Sequence, residues 1–375
     1  MRKLSLENRE MQDILVHQVI HMDQGVSYTP EYIATRKMRH YPSRTAQVIR
    51  SVYRGELPAS QYGADMVFAP ILSGQGERWQ NFGEDPNGYI LTVMLGRELF
   101  YKKGFYVEEI DTLKNTIEKN GGLFPQEMKK TDQWKKALPI NTNSHIGLLL
   151  DEATCIYAAE SRNKIGTFLR KKEMEISVFG PYFTGFDYLA NGCIDEGIEI
   201  INQLLENWTA QGITKMITLT GQSQYIFEIL LPYLGIETDI EFISILDLTE
   251  SFAAENAYIY GGSFFTRYLR KDEKLNQLLP NTEEERLLCA PEFLPEVHAD
   301  HRRNIVGIWT PPLCAEYHTI NGKKDLEEKI YAESLATIEE TSFGTLLVCD
   351  PFACEALRSH GYPKKKMLYY LDILQ

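Results

Sequence analysis

The sequence predicts an α/β protein in which a helical N-terminal region precedes two copies of a parallel α/β domain. Two observations carry this prediction: a strand, turn and helix unit that occurs twice, and short apolar segments that alternate with amphipathic helices from residue 146 onward. Such an alternation is typical of right-handed crossovers and parallel sheets. We therefore expect a helical region at residues 1–140, a first α/β domain at 141–252 and a second at 253–375.

The repeated unit consists of two segments that lie about 130 residues apart. Thr214–Leu230 and Gly344–His360 each have the pattern of a short apolar strand, a tight turn and the start of a helix. Each follows an acidic stretch with helical periodicity, Ile194–Trp208 in the first copy and Asp325–Glu340 in the second. This order predicts two superposable domains related by a pseudo-two-fold axis, with Thr220 and Asp350 at equivalent positions.

The remaining elements follow from local patterns along the chain. Residues 1–60 predict helices, with Pro30 and Pro42 at breaks or helix starts. Residues 61–90 are rich in glycine and turn formers and predict a loop, and residues 91–138 predict mainly helix. The segments that we expect to form strands are Ile146–Leu150, Met174–Val178, Met216–Leu219, Phe242–Leu246, Tyr258–Tyr260, Ile305–Trp309 and Thr345–Val348.

The turns of the two copies resemble those of a known family. In the cysteine-rich domain of heterodisulfide reductase catalytic subunits and of the iron–sulfur subunit of glycolate oxidase, the corresponding strand ends in Cys-Pro-x-Cys. Here the two turns read Thr220-Gly221-Gln222-Ser223 and Asp350-Pro351-Phe352-Ala353. The frame is similar to that of the family, whereas Thr220, Ser223, Asp350 and Ala353 replace its cysteines.

The resemblance covers patches from about residue 91 to the C-terminus. Leu95–Ile140 resembles the family's linker, and Ile146–Cys155 resembles the strand that opens a cysteine-rich domain. Ala257–Arg267 is similar to the opening of the second domain, with Ser263 in place of a cysteine. The paired Cys-Cys-Gly signature falls near Gly180-Pro181-Tyr182 and near Thr310-Pro311-Pro312, and neither stretch contains adjacent cysteines.

The family usually carries a ferredoxin-like segment ahead of these domains. No cysteine precedes Cys155, so residues 1–154 cannot hold a cluster through thiolates. The resemblance therefore implies that the N-terminal region contains a remodelled, degenerate ferredoxin-like segment. Because hydroxyl and carboxylate oxygens are poor ligands for iron–sulfur clusters, we expect no cofactor, and an iron–sulfur cluster is the disfavoured alternative.

The remaining cysteines leave one alternative open. Cys349 and Cys354 flank the second turn, and Cys314 follows Pro311-Pro312. These thiols predict either a relocated cluster, metal or redox site in the inter-domain cleft, or small buried core residues, which is the more common role of free cysteine. The residue types of a zinc site also occur in the sequence VHADH at 297–301, but their spacing is irregular, so we interpret this stretch as a surface loop and expect no metal.

Charge and hydropathy restrict partners and location. The formal net charge of −13 argues against general nucleic-acid binding, which needs a clustered cationic surface. Residues 31–54 are a basic exception, interpreted as a solvated or partner-facing helix or, alternatively, as a site for an anionic partner or lipid headgroup. No apolar run approaches the roughly 18 residues of a membrane span, and the N-terminus lacks a signal-peptide pattern, so we expect a cytoplasmic protein that at most associates peripherally with a membrane.

Three functions fit these observations. The first is a heterodisulfide-reductase-like subunit that has lost its clusters and serves as a structural or adaptor component of an oxidoreductase complex, with other redox subunits as partners. The second is a redox enzyme or electron carrier that uses Cys314, Cys349 and Cys354 or a bound cofactor in the cleft. The third is a small-molecule binding protein whose ligand occupies the vacated cluster positions.

Overall fold

The computed structural model describes residues 2–21, 29–74, 85, 87–124, 131–157, 159–255, 257–279, 305–306, 324–341 and 344–375. Helices make up the N-terminal part, and two separate four-stranded sheets follow. The α/β class predicted from the sequence is confirmed. Thr310-Pro311-Pro312, Cys289, Cys314 and the VHADH stretch lie outside the described residues.

The N-terminal region forms helices that start where the prolines predict. Pro30 and Pro42 occupy the first turns of their helices, where the missing backbone N–H costs no hydrogen bond. The loop predicted for residues 61–90 is wrong in part, because Ser60 accepts a hydrogen bond from the Gly63 backbone N–H at 3.2 Å and starts a helix. The helices are α1 (Arg9–His21), α2 (Pro30–Thr35), α3 (Pro42–Tyr53), α4 (Gln61–Val67), α5 (Gly88–Lys102), α6 (Glu109–Asn120) and α7 (Thr131–Ala137).

The first sheet is entirely parallel and has the strand order β2-β1-β3-β4. Its strands are β1 (Ile146–Asp151), β2 (Ser177–Tyr182), β3 (Lys215–Thr218) and β4 (Glu241–Ser244). Its helices are α8 (Glu152–Tyr157), α9 (Arg162–Lys171), α10 (Phe186–Ala190), α11 (Ile194–Ala210), α12 (Gly221–Gln224), which continues as a π-helix through Leu230, and α13 (Ile245–Leu248).

The second sheet repeats this topology with the order β6-β5-β7-β8. Its strands are β5 (Ala257–Tyr260), β6 (Ile305–Val306), β7 (Thr345–Val348) and β8 (Met367–Tyr369). Its helices are the π-helix Ser263–Tyr268, α14 (Asp272–Gln277), α15 (Lys324–Thr341) and α16 (Pro351–Ser359). Each strand of the first sheet has a counterpart at the same place in the second, so the duplication inferred from the two turns is present in the fold.

Three strand predictions need correction. β2 begins at Ser177 rather than Met174 and runs through Gly180-Pro181-Tyr182, where the sequence predicted the remnant of a cysteine signature. The predicted strand Phe242–Leu246 ends at Ser244, because the Ser244 hydroxyl accepts a hydrogen bond from the Leu246 N–H and starts α13. The sequence pattern missed β8, a short strand of three residues.

The two sheets face each other through crossed helix contacts. α8, which follows β1, packs against α16, which follows β7. In the same way, α12 after β3 packs against the π-helix Ser263–Tyr268 after β5. The second contact pairs the same two kinds of helix as the first, with the two domains interchanged, as a pseudo-two-fold arrangement requires. One hydrophobic cluster contains residues of both sheets, so the domains share a core.

Arg97 on α5 joins the N-terminal helices to the first domain. Its guanidinium is fully buried and donates to the carbonyl oxygens of Val67, Phe68 and Pro70 at 3.1, 3.3 and 2.6 Å, and to that of Ala190 at 2.6 Å. These carbonyls end α4 and α10, so a single cation satisfies backbone acceptors of two separate regions.

No helix within the described ranges is both long enough and apolar enough to cross a bilayer.

We expect Arg97→Lys to lower the free energy of unfolding by about 3 kcal/mol, because one ammonium group cannot reach four carbonyl oxygens and leaves buried acceptors unpaired. Urea unfolding measured by circular dichroism tests this. The control is Arg54→Lys, whose side chain is 47% exposed, and it should change stability by less than about 0.5 kcal/mol. Equal effects of the two variants would contradict a structural role for the Arg97 contacts.

Candidate functional site

The residues that align with cysteines of the resembled family come together at the facing carboxyl-terminal ends of the two sheets. Thr220, Ser223, Ser263 and Asp350 are at most 4% exposed, and Ala353 is fully buried. In open parallel sheets this edge is the usual place for ligands and reactive groups. We call this set, together with Asp151, the inter-sheet cluster.

Asp151 is the centre of the inter-sheet cluster, and the sequence reasoning did not identify it. It is the last residue of β1 and is 3% exposed. One carboxylate oxygen accepts from the Thr220 and Ser223 hydroxyls, both at 2.5 Å, and the other accepts from the Thr154 backbone N–H at 2.7 Å. A signal for it exists, because a carboxylate that ends an otherwise apolar strand IGLLLD must find buried donors.

The first residue of each turn, Thr220 or Asp350, is the N-cap of the helix that follows. Thr220 has extended backbone dihedral angles, and its hydroxyl accepts from the Ser223 N–H at 3.2 Å. Asp350 is extended in the same way and accepts from the Ala353 N–H at 2.9 Å. Both positions therefore carry residue types that stabilise the first turn of a helix through an oxygen, in a frame where the resembled family has a thiolate ligand.

The carboxylate at this edge lies at a different position in each domain. The register pairs Leu149 with Thr218 and Tyr260 with Val348, so Asp151 is opposite Thr220 and Gly262 is opposite Asp350. Gly262 has a φ of +74°, and a Cβ atom there would lie 2.9 Å from the Asp350 Cβ. Each domain thus has one carboxylate at this edge, on the strand end in the first domain and on the turn in the second.

Asp350 is protonated more readily than an exposed aspartate. Burial raises its pKa to about 7, the nearby Asp151 carboxylate acts in the same direction, and the backbone N–H groups of Ala353 and Phe352 oppose the shift. The two carboxyl groups therefore interact across the interface between α8 and α16.

Close packing surrounds the first turn, Thr220–Ser223. A Cβ atom at Gly221 would lie 2.8 Å from the Phe264 Cβ and 3.0 Å from the Phe265 backbone nitrogen, so only glycine allows this approach of the two chains. The Tyr370 hydroxyl donates to the Leu219 carbonyl oxygen, and the Phe186 and Phe264 rings meet edge to face at 5.3 Å. The inter-sheet cluster is therefore an interior contact between domains.

Ser263 connects this interior to the N-terminal region. Arg267 Nη1 donates to the Ser263 hydroxyl at 3.2 Å and lies 3.4 Å from the Ser73 carbonyl oxygen. The Tyr268 hydroxyl donates to the Leu72 carbonyl oxygen at 2.8 Å. The second domain thereby holds the segment that precedes the glycine-containing stretch 75–84, which lies outside the described residues.

The two remaining cysteines of the predicted cleft site are core residues. Cys349 and Cys354 are at most 1% exposed and belong to the hydrophobic cluster that both sheets share. Burial raises the pKa of the Cys349 thiol well above its ordinary range and that of Cys354 to about 12. Thiolate is the form that binds metals and attacks electrophiles, so both groups are held in the unreactive form at neutral pH. Their relation to Cys314 is not described.

Among the described residues, we looked for metal ligands and surface grooves. In the described part of the chain, no group of three or more His, Cys, Asp and Glu side chains is placed to hold a metal ion. A surface groove of about 780 Å³ lies at the amino-terminal ends of β3 and β4, lined among others by Glu206, Glu237 and Asp239. It is at the opposite end of the first sheet from the inter-sheet cluster.

Searches against protein-family models, curated proteins and solved structures return no match to this chain. The resemblance described above remains a prediction from the residues.

Replacing the two aspartates should have unequal effects. Asp151→Asn should destabilise the protein by about 3 kcal/mol, because an amide has a single acceptor oxygen and cannot accept both from the Thr154 N–H and from the Thr220 and Ser223 hydroxyls. Asp350→Asn should cost less than about 1 kcal/mol near pH 5, since asparagine caps a helix as well as aspartate does. Chemical unfolding of both variants measures the difference, and equal losses would contradict the central role of Asp151.

The pH dependence gives the sign of the Asp350 effect. Between its ordinary pKa of 3.8 and its folded value of about 7, the folded protein holds a proton that the unfolded chain has lost. Stability from this group is therefore full below pH 4 and falls as the pH rises through 7. As the pH rises from 5 to 8, the stability of Asp350→Asn should therefore increase relative to that of the parent protein. Parallel pH profiles in urea unfolding would show that Asp350 titrates normally.

Thiol reactivity tests the cleft cysteines directly. In a Cys289→Ser/Cys314→Ser variant, the four buried thiols Cys155, Cys193, Cys349 and Cys354 should react with Ellman's reagent only after unfolding in guanidinium. Rapid reaction of Cys349 or Cys354 in the native protein, located by mass spectrometry, would support the redox alternative.

Proposed function

We propose that this protein is a heterodisulfide-reductase-like subunit without iron–sulfur clusters that acts as a structural or adaptor component of an oxidoreductase complex. The observation that carries the proposal is that oxygen atoms of the inter-sheet cluster hydrogen-bond to groups of the protein itself. The oxygen atoms at Thr220, Ser223 and Asp350 cap helices or bind Asp151. These bonds to the protein support a site that works without a cofactor.

The chemistry of these groups supports the loss of the clusters. Iron–sulfur clusters are bound by soft thiolates, whereas this edge carries hydroxyls, carboxyls and the methyl group of Ala353. The thiols of Cys349 and Cys354, which flank the second turn, are buried among apolar side chains. Electron transfer through an iron–sulfur cluster at this site would need cysteine ligands at the two turns, and the turns contain none.

The packing supports a role that depends on the outer surface. Gly221 contacts the second domain through backbone, and Tyr370 bridges to Leu219, so the domains are held together by direct contacts at the place where the resembled family holds clusters. A rigid pair of domains with a helical N-terminal region is suited to docking other subunits. The partners implied by the resemblance are other redox subunits in the cytoplasm. Peripheral association with a membrane is compatible with this role.

Metal analysis of the anaerobically purified full-length protein tests this function. We expect less than about 0.1 equivalent of iron and of acid-labile sulfide, because four thiolates are needed for the usual cluster. The protein should also lack broad absorbance near 400 nm that bleaches on reduction. Stoichiometric iron retained in the triple variant Cys314→Ser/Cys349→Ser/Cys354→Ser would contradict the proposal and require a different ligand set.

Complex formation tests the adaptor role itself. Affinity-tagged protein expressed in its native cell should elute in a complex larger than its own mass and together with redox subunits, as measured by light scattering and mass spectrometry. A monomer that recovers no redox subunit would contradict the adaptor role and favour a small-molecule ligand instead.

A further inference from the structure

A compact basic turn at residues 36–44 consists of the connection between α2 and α3 and the first residues of α3. Arg36, Lys37 and Met38 are exposed, and Arg39 and Arg44 are half-buried. Met38 is 52% exposed, which is unusual for a large apolar side chain in this protein. The turn therefore presents four cations around one exposed thioether.

The four cations of the basic turn are not neutralised by the protein. Within the described ranges, Arg36, Lys37, Arg39 and Arg44 take part in no ion pair. Some cations elsewhere do have acidic partners, such as Lys114 with Glu196 at 2.5 Å. Because the whole chain has a net charge of −13, four adjacent unpaired cations form a local exception to its electrostatic potential.

The basic turn is held in one shape by its own backbone. Arg36 has a left-handed conformation with φ 54°, and its N–H donates to the Tyr32 carbonyl oxygen at 2.6 Å. The Tyr41 N–H donates to the Met38 carbonyl oxygen at 3.1 Å and closes the following helical turn. A non-glycine residue in this region is strained, which needs support from its surroundings and occurs often at binding surfaces.

Local contacts orient two of the guanidinium groups. Tyr32 and Tyr41 pack edge to face with centroids 4.3 Å apart, and the Arg36 guanidinium lies 5.8 Å from the Tyr32 centroid. The Arg44 guanidinium donates to the Gln47 side chain at 2.6 Å. Preorganised guanidinium groups lose less entropy when they bind carboxylates than free lysine side chains do.

We propose that the basic turn is a docking surface for an acidic segment of a partner protein, in which carboxylates bind Arg36, Lys37, Arg39 and Arg44 and an apolar side chain contacts Met38. This inference rests on the adaptor function proposed above and identifies the surface through which the adaptor binds. Planar guanidinium groups match carboxylates in two-point contacts, and an apolar contact at the centre of a polar rim is typical of protein interfaces.

The negative charge of the rest of the chain favours a short acidic protein segment, rather than an extended polyanion, as the ligand of the basic turn. A membrane or a nucleic-acid duplex would bring its charge close to acidic surface beyond the basic turn, and the repulsion would act within a Debye length of about 8 Å. A short acidic segment contacts the basic turn alone. A second copy of this chain brings its own −13 charge, which opposes self-association.

Fluorescence anisotropy with the full-length protein tests this proposal. The probe is a fluorescein-labelled peptide rich in Asp and Glu with interspersed Leu and Phe. We expect saturable binding that weakens as ionic strength rises from about 0.05 to about 0.5 M. Charge reversal in Arg36→Glu/Lys37→Glu/Arg39→Glu should weaken binding by roughly tenfold or more. Met38→Ser should weaken binding of this peptide but not of poly-glutamate.

The chain supplies a matched control in the exposed basic run Lys364–Lys366. Lys364→Glu/Lys365→Glu/Lys366→Glu changes the net charge by the same amount, and it should leave peptide binding within about twofold of the parent protein. Equal losses in both triple variants would show a non-specific charge effect and overturn the proposal. Circular dichroism of each variant confirms folding before binding is compared.

The remaining outcomes also decide between occupants. Tighter binding of phosphatidylserine vesicles or of duplex DNA than of the peptide, lost in the Arg36/Lys37/Arg39 variant, would overturn the proposal in favour of those ligands. Self-association that the same variant abolishes would assign the surface to a second copy. The iron analysis is independent of all these results, so failure here leaves the cluster-free subunit to be judged separately.

Discussion

The hydrogen bonds of Asp151 are the constraint on which the central part of this protein depends. A carboxylate at the end of a buried strand needs several donors, and it finds them in the Thr154 backbone and in the Thr220 and Ser223 hydroxyls. These donors start α8 and α12, so one side chain fixes the first turns of two helices. Both helices then pack across the interface, α8 on α16 and α12 on the π-helix Ser263–Tyr268. Removing this acceptor would therefore affect the shared core as well as one turn.

Buried acids outside this cluster show the same balance between burial and hydrogen bonding. Burial raises the pKa of Glu31 to about 7, although Glu31 accepts from the Ile71 N–H at 2.5 Å and lies near Arg97. Burial and the neighbouring Glu152 raise the pKa of Asp187 to about 8. With Asp350, these groups take up protons on folding in the range between their ordinary and folded pKa values. The stability contributed by all three declines as pH rises toward 8, opposite to the behaviour of salt-bridged surface carboxylates.

The interior and the surface therefore suggest different uses of the duplicated fold. At the facing sheet edges, buried hydroxyl and carboxyl groups cap helices or hydrogen-bond to each other. This favours a fixed arrangement of the two domains over chemistry between them. On the surface, the basic turn at residues 36–44 keeps unpaired cations in a defined geometry on an acidic chain. A protein with a fixed interior and a charged, preorganised surface is suited to assembly, because its binding energy is not spent on ordering its own domains.

The sequence by itself determined the α/β class and the duplication, because apolar strand segments and the helix starts that follow them are local signals that repeat with their structure. It did not determine the role of Asp151, which depends on donors that lie 69 and 72 residues away along the chain. It also missed β8, whose three residues are too few to show an alternating pattern, and it placed a loop where Ser60 caps α4. Only the tertiary structure decided where the carboxylate lies in each domain, on the strand end at Asp151 in the first and on the turn at Asp350 in the second. The equivalent positions are Gly262 and Thr220. The physical reason is that the register between neighbouring parallel strands brings together residues that no local pattern connects.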